Sequence, residues 1–424
     1  MFKRYYAATA GLLCAAVLAA GCGSSSSKTT TTSAAATTAT TTTSAATTTS
    51  AASSSLPAGV VLASGQGAPY LPGPGVGKGI GPMVGTSEAA QATTWGTAAG
   101  KALGHVSNPP HPTVGYLDIL GGIESADRAA NSIRQALKAV GYNMLYCNGA
   151  GDPTKWVTCG NSLLSQGAKA ILLTGIDPSS IPSVVSSAKA KNVPILNCCG
   201  LVGPGYQAAL YPDEALSGQI LAKALIAKLG SAGGDIAVAN YPAPWATART
   251  AQLATLTKGT SVKTVATSTT DPTNLVEGTQ KWVSDTLTAN PNLKAFWFAF
   301  DSAGQAGGQV VESKAQSGSA PDVFTFHADP STQVLMRKGA ITEVVDVNYD
   351  VTAWEVVNAL VEYEARHTPL PGYSDNASYP GIGNPLSYQI VTKSNLPPAG
   401  MYVAPQKDGV SYFLAKWKAE GLGS

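Results

Sequence analysis

Five polar residues stand just beyond apolar, β-prone runs, where binding chemistry is usually placed. Asp177 follows the run 170–173, Arg249 lies in the helical stretch after Asn240, Asp301 closes 296–300, and Asp329 and Asn348 follow 323–327 and 342–347. In open parallel α/β sheets ligands bind beyond the carboxyl ends of the strands. Carboxylates and amides exchange paired hydrogen bonds with vicinal hydroxyls, and a guanidinium adds a planar fork, so this set suits a polyhydroxylated ligand. Trp245 offers an aromatic face for the C–H side of a ring, or packs between lobes. Plainer roles compete: Asp177 before Pro178 and Asp301 before Ser302 both suit helix N-caps, and Arg249 suits a surface ion pair.

Signatures of catalysis and metal binding are missing. His105, His111, His327 and His367 have no metal-ligand spacing, so no metal is expected. There is no Gly-x-Ser-x-Gly elbow, no His-Glu-x-x-His and no dinucleotide glycine fingerprint, so neither an enzyme nor a cofactor is expected. The Gly/Pro run 72–79 has no strand before it and no Ser or Thr after Lys78, which makes it a spacer rather than a phosphate loop. A net charge of +2 with 12% charged residues excludes a nucleic-acid surface and a polybasic membrane patch.

The elements that must position these residues alternate in type. Strands are predicted at 114–119, 143–146, 170–173 and 193–197, with helices at 124–140, 154–166 and 178–191 between them. A second series runs from a helix at 213–229 through strands at 236–239, 262–267, 295–300, 323–327 and 342–347. Its helices are predicted at 245–256, 275–289, 302–315 and 331–338, and a helix at 351–366 and a strand at 388–392 come last. Such βαβ series imply parallel sheets covered on both faces, and this many strands calls for two sheets.

The chain opens with Lys3 and Arg4, an apolar run 7–20, and Leu18-Ala19-Ala20-Gly21-Cys22, which reads as a lipoprotein export signal cut before Cys22. The branched residue expected three places before the cysteine is displaced by one, and an ordinary signal peptide is the alternative. Residues 23–55, nearly all Ser, Thr and Ala, cannot bury apolar surface and read as a disordered tether spanning roughly 30 Å. Residues 56–112 read as Gly/Pro-rich linker outside the core, with one short helix near 88–103. Of the four remaining cysteines, Cys147 and Cys159 flank a single strand-to-helix connection and are the expected disulfide. Cys198 and Cys199 are either bridged or free.

The body resembles the type I periplasmic solute-binding proteins, specifically the ribose-binding-like sugar receptors of ABC transporters, over about residues 112–398. The resemblance rests on the order and spacing of several segments. Val140-Gly141-Tyr142, the run 167–173 with Asp177, and Val193-Pro194-Ile195-Leu196 come first. Pro212 to Gly218, Ala248-Arg249, Phe300-Asp301 and Ala328-Asp329 follow.

The resemblance implies an α/β fold of two doubly wound parallel-sheet lobes joined by a three-crossover hinge, with crossovers near Cys199, Asn348 and Thr392. Residues 113–199 and 349–391 would form the first lobe, 200–348 and 392–424 the second, after a signal peptide 1–21 and an anchored tether and linker 22–112. Ligand would sit between the lobes, touched by Arg249 and Asp301 from the second lobe, Asp177 from the first and Asn348 from the hinge, with Asp329 as the late aspartate. Two departures bear on the ligand. The aromatic pair after the first strand is replaced near Glu124, Ser125 and Ala126, which brings Glu124 into the expected set, and His327 stands where a glycine is usual. The implied role is a monomeric, lipid-anchored extracytoplasmic receptor that captures a sugar-like solute and delivers it to an ABC permease. A sensory lipoprotein of the same fold and an α/β hydrolase are the alternatives. On this reading Arg249→Ala and Asp301→Ala abolish binding and leave the fold intact.

Overall fold

Two mostly parallel sheets, each flanked by helices, organise the described residues. In the computed structural model, residues 60–62, 67–68, 89–200, 203–316, 320–374 and 377–423 are described. The export signal, Cys22 and the whole of the expected tether 23–55 lie outside them.

The first sheet is all parallel, in the order Gly372–Ser374, Ala208–Leu210, Ile195–Cys198, Ala170–Thr174, Thr113–Asp118, Asn143–Asn148. The second has the order Val60–Leu62, Tyr388–Thr392, Glu343–Val347, Asp322–Phe326, Ala295–Phe298, Gly234–Asn240, Val262–Thr269. In it only the pairing of Tyr388–Thr392 with Glu343–Val347 is antiparallel. Central strands such as Ala170–Thr174 and Ala295–Phe298 are buried along their whole length, because helices cover both faces. Aspartates set several helix starts: Asp152 accepts from Thr154 N and Asp213 from Leu216 N, each at 2.8 Å.

The lobe boundaries differ from those expected in sequence. Ala208–Leu210 is still a strand of the first sheet, so the first crossover falls at residues 211–213 rather than near Cys199. Tyr388–Thr392 belongs to the second sheet, which places the third crossover before it. The C-terminal helix Gly409–Glu420 packs on the helices Ala89–Leu103 and Tyr349–Arg366 of the first lobe, so the chain crosses once more after Val403. Residues 89–103 are therefore a packed part of that lobe rather than linker. Their seam is made of small residues: a side chain on Gly96 would collide with the Tyr412 carbonyl and one on Gly100 with that of Lys416. Cys147 and Cys159 are joined by a disulfide, with Cα atoms 5.6 Å apart.

The crossovers are tied together. Asn348 donates to Pro385 O at 3.1 Å and accepts from Ser387 N at 2.8 Å, and Asp213 N donates to the Tyr388 hydroxyl at 2.7 Å. Among the described residues, no helix is long and apolar enough to cross a membrane.

Candidate functional site: the cavity between the lobes

The helix Glu124–Ala139 follows the first strand of the first lobe, and its opening turn meets helix starts of the second. Glu124 accepts from Ser331 N at 3.0 Å, placing a carboxylate at the positive end of the helix Pro330–Arg337. Four residues on, Arg128 reaches the same region. It donates to Asp329 at 3.2 Å and to Asp350 at 2.6 and 3.0 Å, with Asp346 at 3.9 Å and the Tyr402 ring 4.2 Å from the guanidinium carbon. Arg128 and all three aspartates are buried.

Beside this hub lies a cavity of about 60 Å³. The first lobe lines it with Ile119, Ser125, Ala126, Ala129, Thr174, Gly175 and Cys199, the second with Glu214, Trp245, Arg249 and His327, and the hinge with Tyr349. One water occupies about 10–15 Å³ on this measure, so the space holds a few waters or a small ligand. Trp245 stacks on Tyr241, with ring centres 5.2 Å apart, and touches Phe300 at 5.5 Å. The indole thus both packs between the lobes and forms part of the cavity wall.

Arg249 is engaged on nearly every side. Its Nε donates to Glu214 at 2.6 Å, Nη1 to Ala299 O at 2.9 Å, and Nη2 to the Tyr349 hydroxyl at 2.8 Å, with His327 Nε2 at 3.3 Å from Nη2. These bonds use four of its five N–H groups. The arginine therefore shapes the wall more than it offers a free fork. Because a guanidinium only donates, His327 Nε2 must accept, which leaves the proton on Nδ1. Burial, then Arg249 and Arg128, hold this imidazole neutral, well below its usual pKa. Nδ1 is buried without a partner.

Asp301 begins the helix Asp301–Gln316 and is fully buried, with neither carboxylate oxygen in a well-formed hydrogen bond. Burial pushes its carboxyl up to about 6, against the pull of the nearby Ser125 hydroxyl, the Ser302 N–H and Arg249. Ser125 belongs to the first lobe, so this pair also spans the lobe boundary.

The expected set is thus divided. Arg249 and Trp245 line the cavity; Asp301, Glu124 and Asp329 lie at the adjoining lobe contact. Asp177 caps the turn Pro178–Ser180 through Ser179 N at 2.8 Å and does not line the cavity, and Asn348 staples the hinge. Sequence reasoning missed Arg128, Glu214, His327 as a donor, Tyr349, Asp346 and Asp350. Glu214 follows Asp213 in a motif already noted, and Tyr349 follows Asn348, so adjacency was an available signal. Arg128 had none beyond its helical spacing from Glu124. Among the described residues no group of His, Cys, Asp and Glu could hold a metal ion.

A family model described as periplasmic binding protein domain matches residues 121–366. No curated protein matches the chain. A solved ABC transporter solute binding protein from Mycobacterium smegmatis with bound glycerol is similar at 18% identity and a TM-score of 0.61, covering 70% of this chain and 100% of that one. A sugar ABC transporter protein from Yersinia enterocolitica subsp. enterocolitica 8081 is similar at 15% identity and a TM-score of 0.62, covering 74% and 96%. A carbohydrate transporter solute binding protein from Agrobacterium radiobacter, in complex with D-arabinose, is similar at 17% identity and a TM-score of 0.57, covering 68% and 96%. At such identities the likeness is one of fold, two α/β lobes with mostly parallel sheets. The family model spans more than half of the 424 residues, so the chain belongs to the periplasmic binding protein family, whose members are extracytoplasmic binding proteins rather than enzymes.

Proposed function

We propose that this protein captures a sugar or similar polyhydroxylated small molecule between its lobes and delivers it to an ABC permease, working as a monomer held to the membrane by lipid on Cys22. The observation that carries the reading is the cavity itself. It is lined from both lobes, walled by Trp245, edged by the Glu214 carboxylate, and it includes His327, whose Nδ1 is buried without a partner. A hydroxyl is both donor and acceptor, so one ligand hydroxyl can satisfy an N–H and another a carboxylate. The glycerol and D-arabinose in the similar proteins are ligands of this kind. A volume of about 60 Å³ favours a small polyol or pentose over a disaccharide.

A thermal-shift screen of aldoses, ketoses, polyols, nucleosides and amino acids tests the class. A ligand at about 100 times its dissociation constant stabilises the fold by about 2.7 kcal/mol. Shifts confined to sugars and polyols support the reading, and shifts confined to amino acids or nucleosides overturn the ligand.

A further inference from the structure

The strand Ile195–Cys198 ends on one cysteine and is followed at once by another. Cys198 is fully buried, Cys199 nearly so, and their sulfurs lie 2.9 Å apart, against about 2.05 Å for a bond. The backbone holds them there. Cys199 has φ +59°, a left-handed conformation that a non-glycine residue rarely adopts. Its N–H donates to Leu210 O at 3.2 Å, and Cys198 O accepts from Gly175 N at 3.1 Å, so neighbouring strands fix the peptide joining the pair. Of the two, Cys199 forms part of the cavity wall, beside Glu214 and Tyr349.

The geometry points to a dithiol switch in which Cys199, uncovered when the lobes part, and Cys198, buried behind it, close to a vicinal disulfide by exchange with a small external disulfide. Cys199 is the attacking residue, since Cys198 has no exposure. Its thiolate attacks one sulfur of the reagent, breaking the S–S bond and forming a mixed disulfide; the departing thiolate takes up the Cys199 proton. The Cys198 thiolate then attacks the Cys199 sulfur and expels the second reagent thiolate, which takes the other proton. Two electrons pass to the reagent and none is left over. In the closed form burial, then Cys198, Glu214 and Asp350, push the Cys199 thiol well above its usual pKa, so exchange awaits opening. Adjacent α-carbons lie about 3.8 Å apart, below the usual disulfide range, which makes such a ring readily reducible and hence reversible. The family's extracytoplasmic setting supplies oxidising conditions.

The test uses the full chain with Cys14→Ser and Cys22→Ser, incubated with oxidised glutathione, unfolded, alkylated with N-ethylmaleimide and weighed intact. The parent should lose both maleimide adducts together and retain no glutathione, while the Cys147–Cys159 bond stays intact throughout. Adding Cys198→Ser should trap one glutathione on Cys199. Adding Cys199→Ser should leave Cys198 unmodified, with melting curves confirming that both variants fold. A stable glutathione adduct on the parent, survival of both thiols, or equally fast modification of the Cys199→Ser variant would overturn the switch.

Discussion

Arg128 of the first lobe donates to Asp329 of the second across 3.2 Å, and neither side chain is exposed to water. The same guanidinium holds Asp350, where the chain leaves the hinge, and approaches Asp346 at 3.9 Å. One cation of the first lobe therefore serves three buried carboxylates, two from the second lobe and one from the hinge.

Removing one partner of a buried ion pair costs about 3–5 kcal/mol, because the other charge stays buried and uncompensated. Arg128→Met should accordingly lower unfolding free energy by about that amount in urea titrations, and small-angle scattering should show lobes further apart. A variant as stable and as compact as the parent would show that the hub does not hold the closed form.

Arg249 calls for a revised expectation. Its pairing with Glu214 at 2.6 Å is buried, so Arg249→Ala should not leave the fold intact. A loss of about 3–5 kcal/mol is expected for Arg249→Ala, and a smaller one for the double change Arg249→Met with Glu214→Gln, which leaves no unpaired charge. Denaturation midpoints of the three proteins decide this, and equal losses in single and double variants would refute it.

Stability should depend on pH through raised carboxyls. Asp301 and Asp346 are each pushed up to about 6 by burial, so the folded state binds protons that the unfolded state, titrating near 4, releases. Their contribution is full below about pH 4 and is lost as pH rises through 6. Asp301→Asn should flatten that fall and, at pH 7, stabilise the protein by up to about 3 kcal/mol. Urea midpoints across this window check the sign, and an unchanged slope in the variant would contradict it.

At the N-terminal seam, Gly96→Val should push the helix Ala89–Leu103 off the helix Gly409–Glu420, because the new side chain meets the Tyr412 backbone. Limited proteolysis between residues 89 and 112 should quicken by at least about tenfold, the effect of losing roughly 1.4 kcal/mol of local protection. Unaltered cleavage would mean that the seam does not secure the helix.

The sequence made the body legible because hydrophobic period alternated cleanly between strand and helix; the helix 275–289 and the strand 388–392 have the predicted bounds. What escaped was short or long-range. Ala208–Leu210 is a strand only because Leu196 and its neighbours pair with it, and Ala and Leu carry little intrinsic β preference. The helix near 88–103 was legible, but its docking was not, because a seam of Gly and Ala has no apolar stripe to read. Arg128 could not be singled out, since its three partners lie more than 200 residues away in sequence. At the site, the residue types pointed to the region of Trp245 and Arg249. They could not show that Glu214 already occupies the arginine or that Asp177 is spent on a cap.

The proposed function requires ligand in the cavity between the lobes. Isothermal titration of small sugars and polyols into the parent and into Ala129→Leu, which adds bulk to that cavity without removing any polar partner, tests it directly. One-to-one binding to the parent is expected, with at least a tenfold weaker affinity in a variant of unchanged melting temperature. Absence of carbohydrate binding to the parent, or undiminished binding to Ala129→Leu, would contradict it.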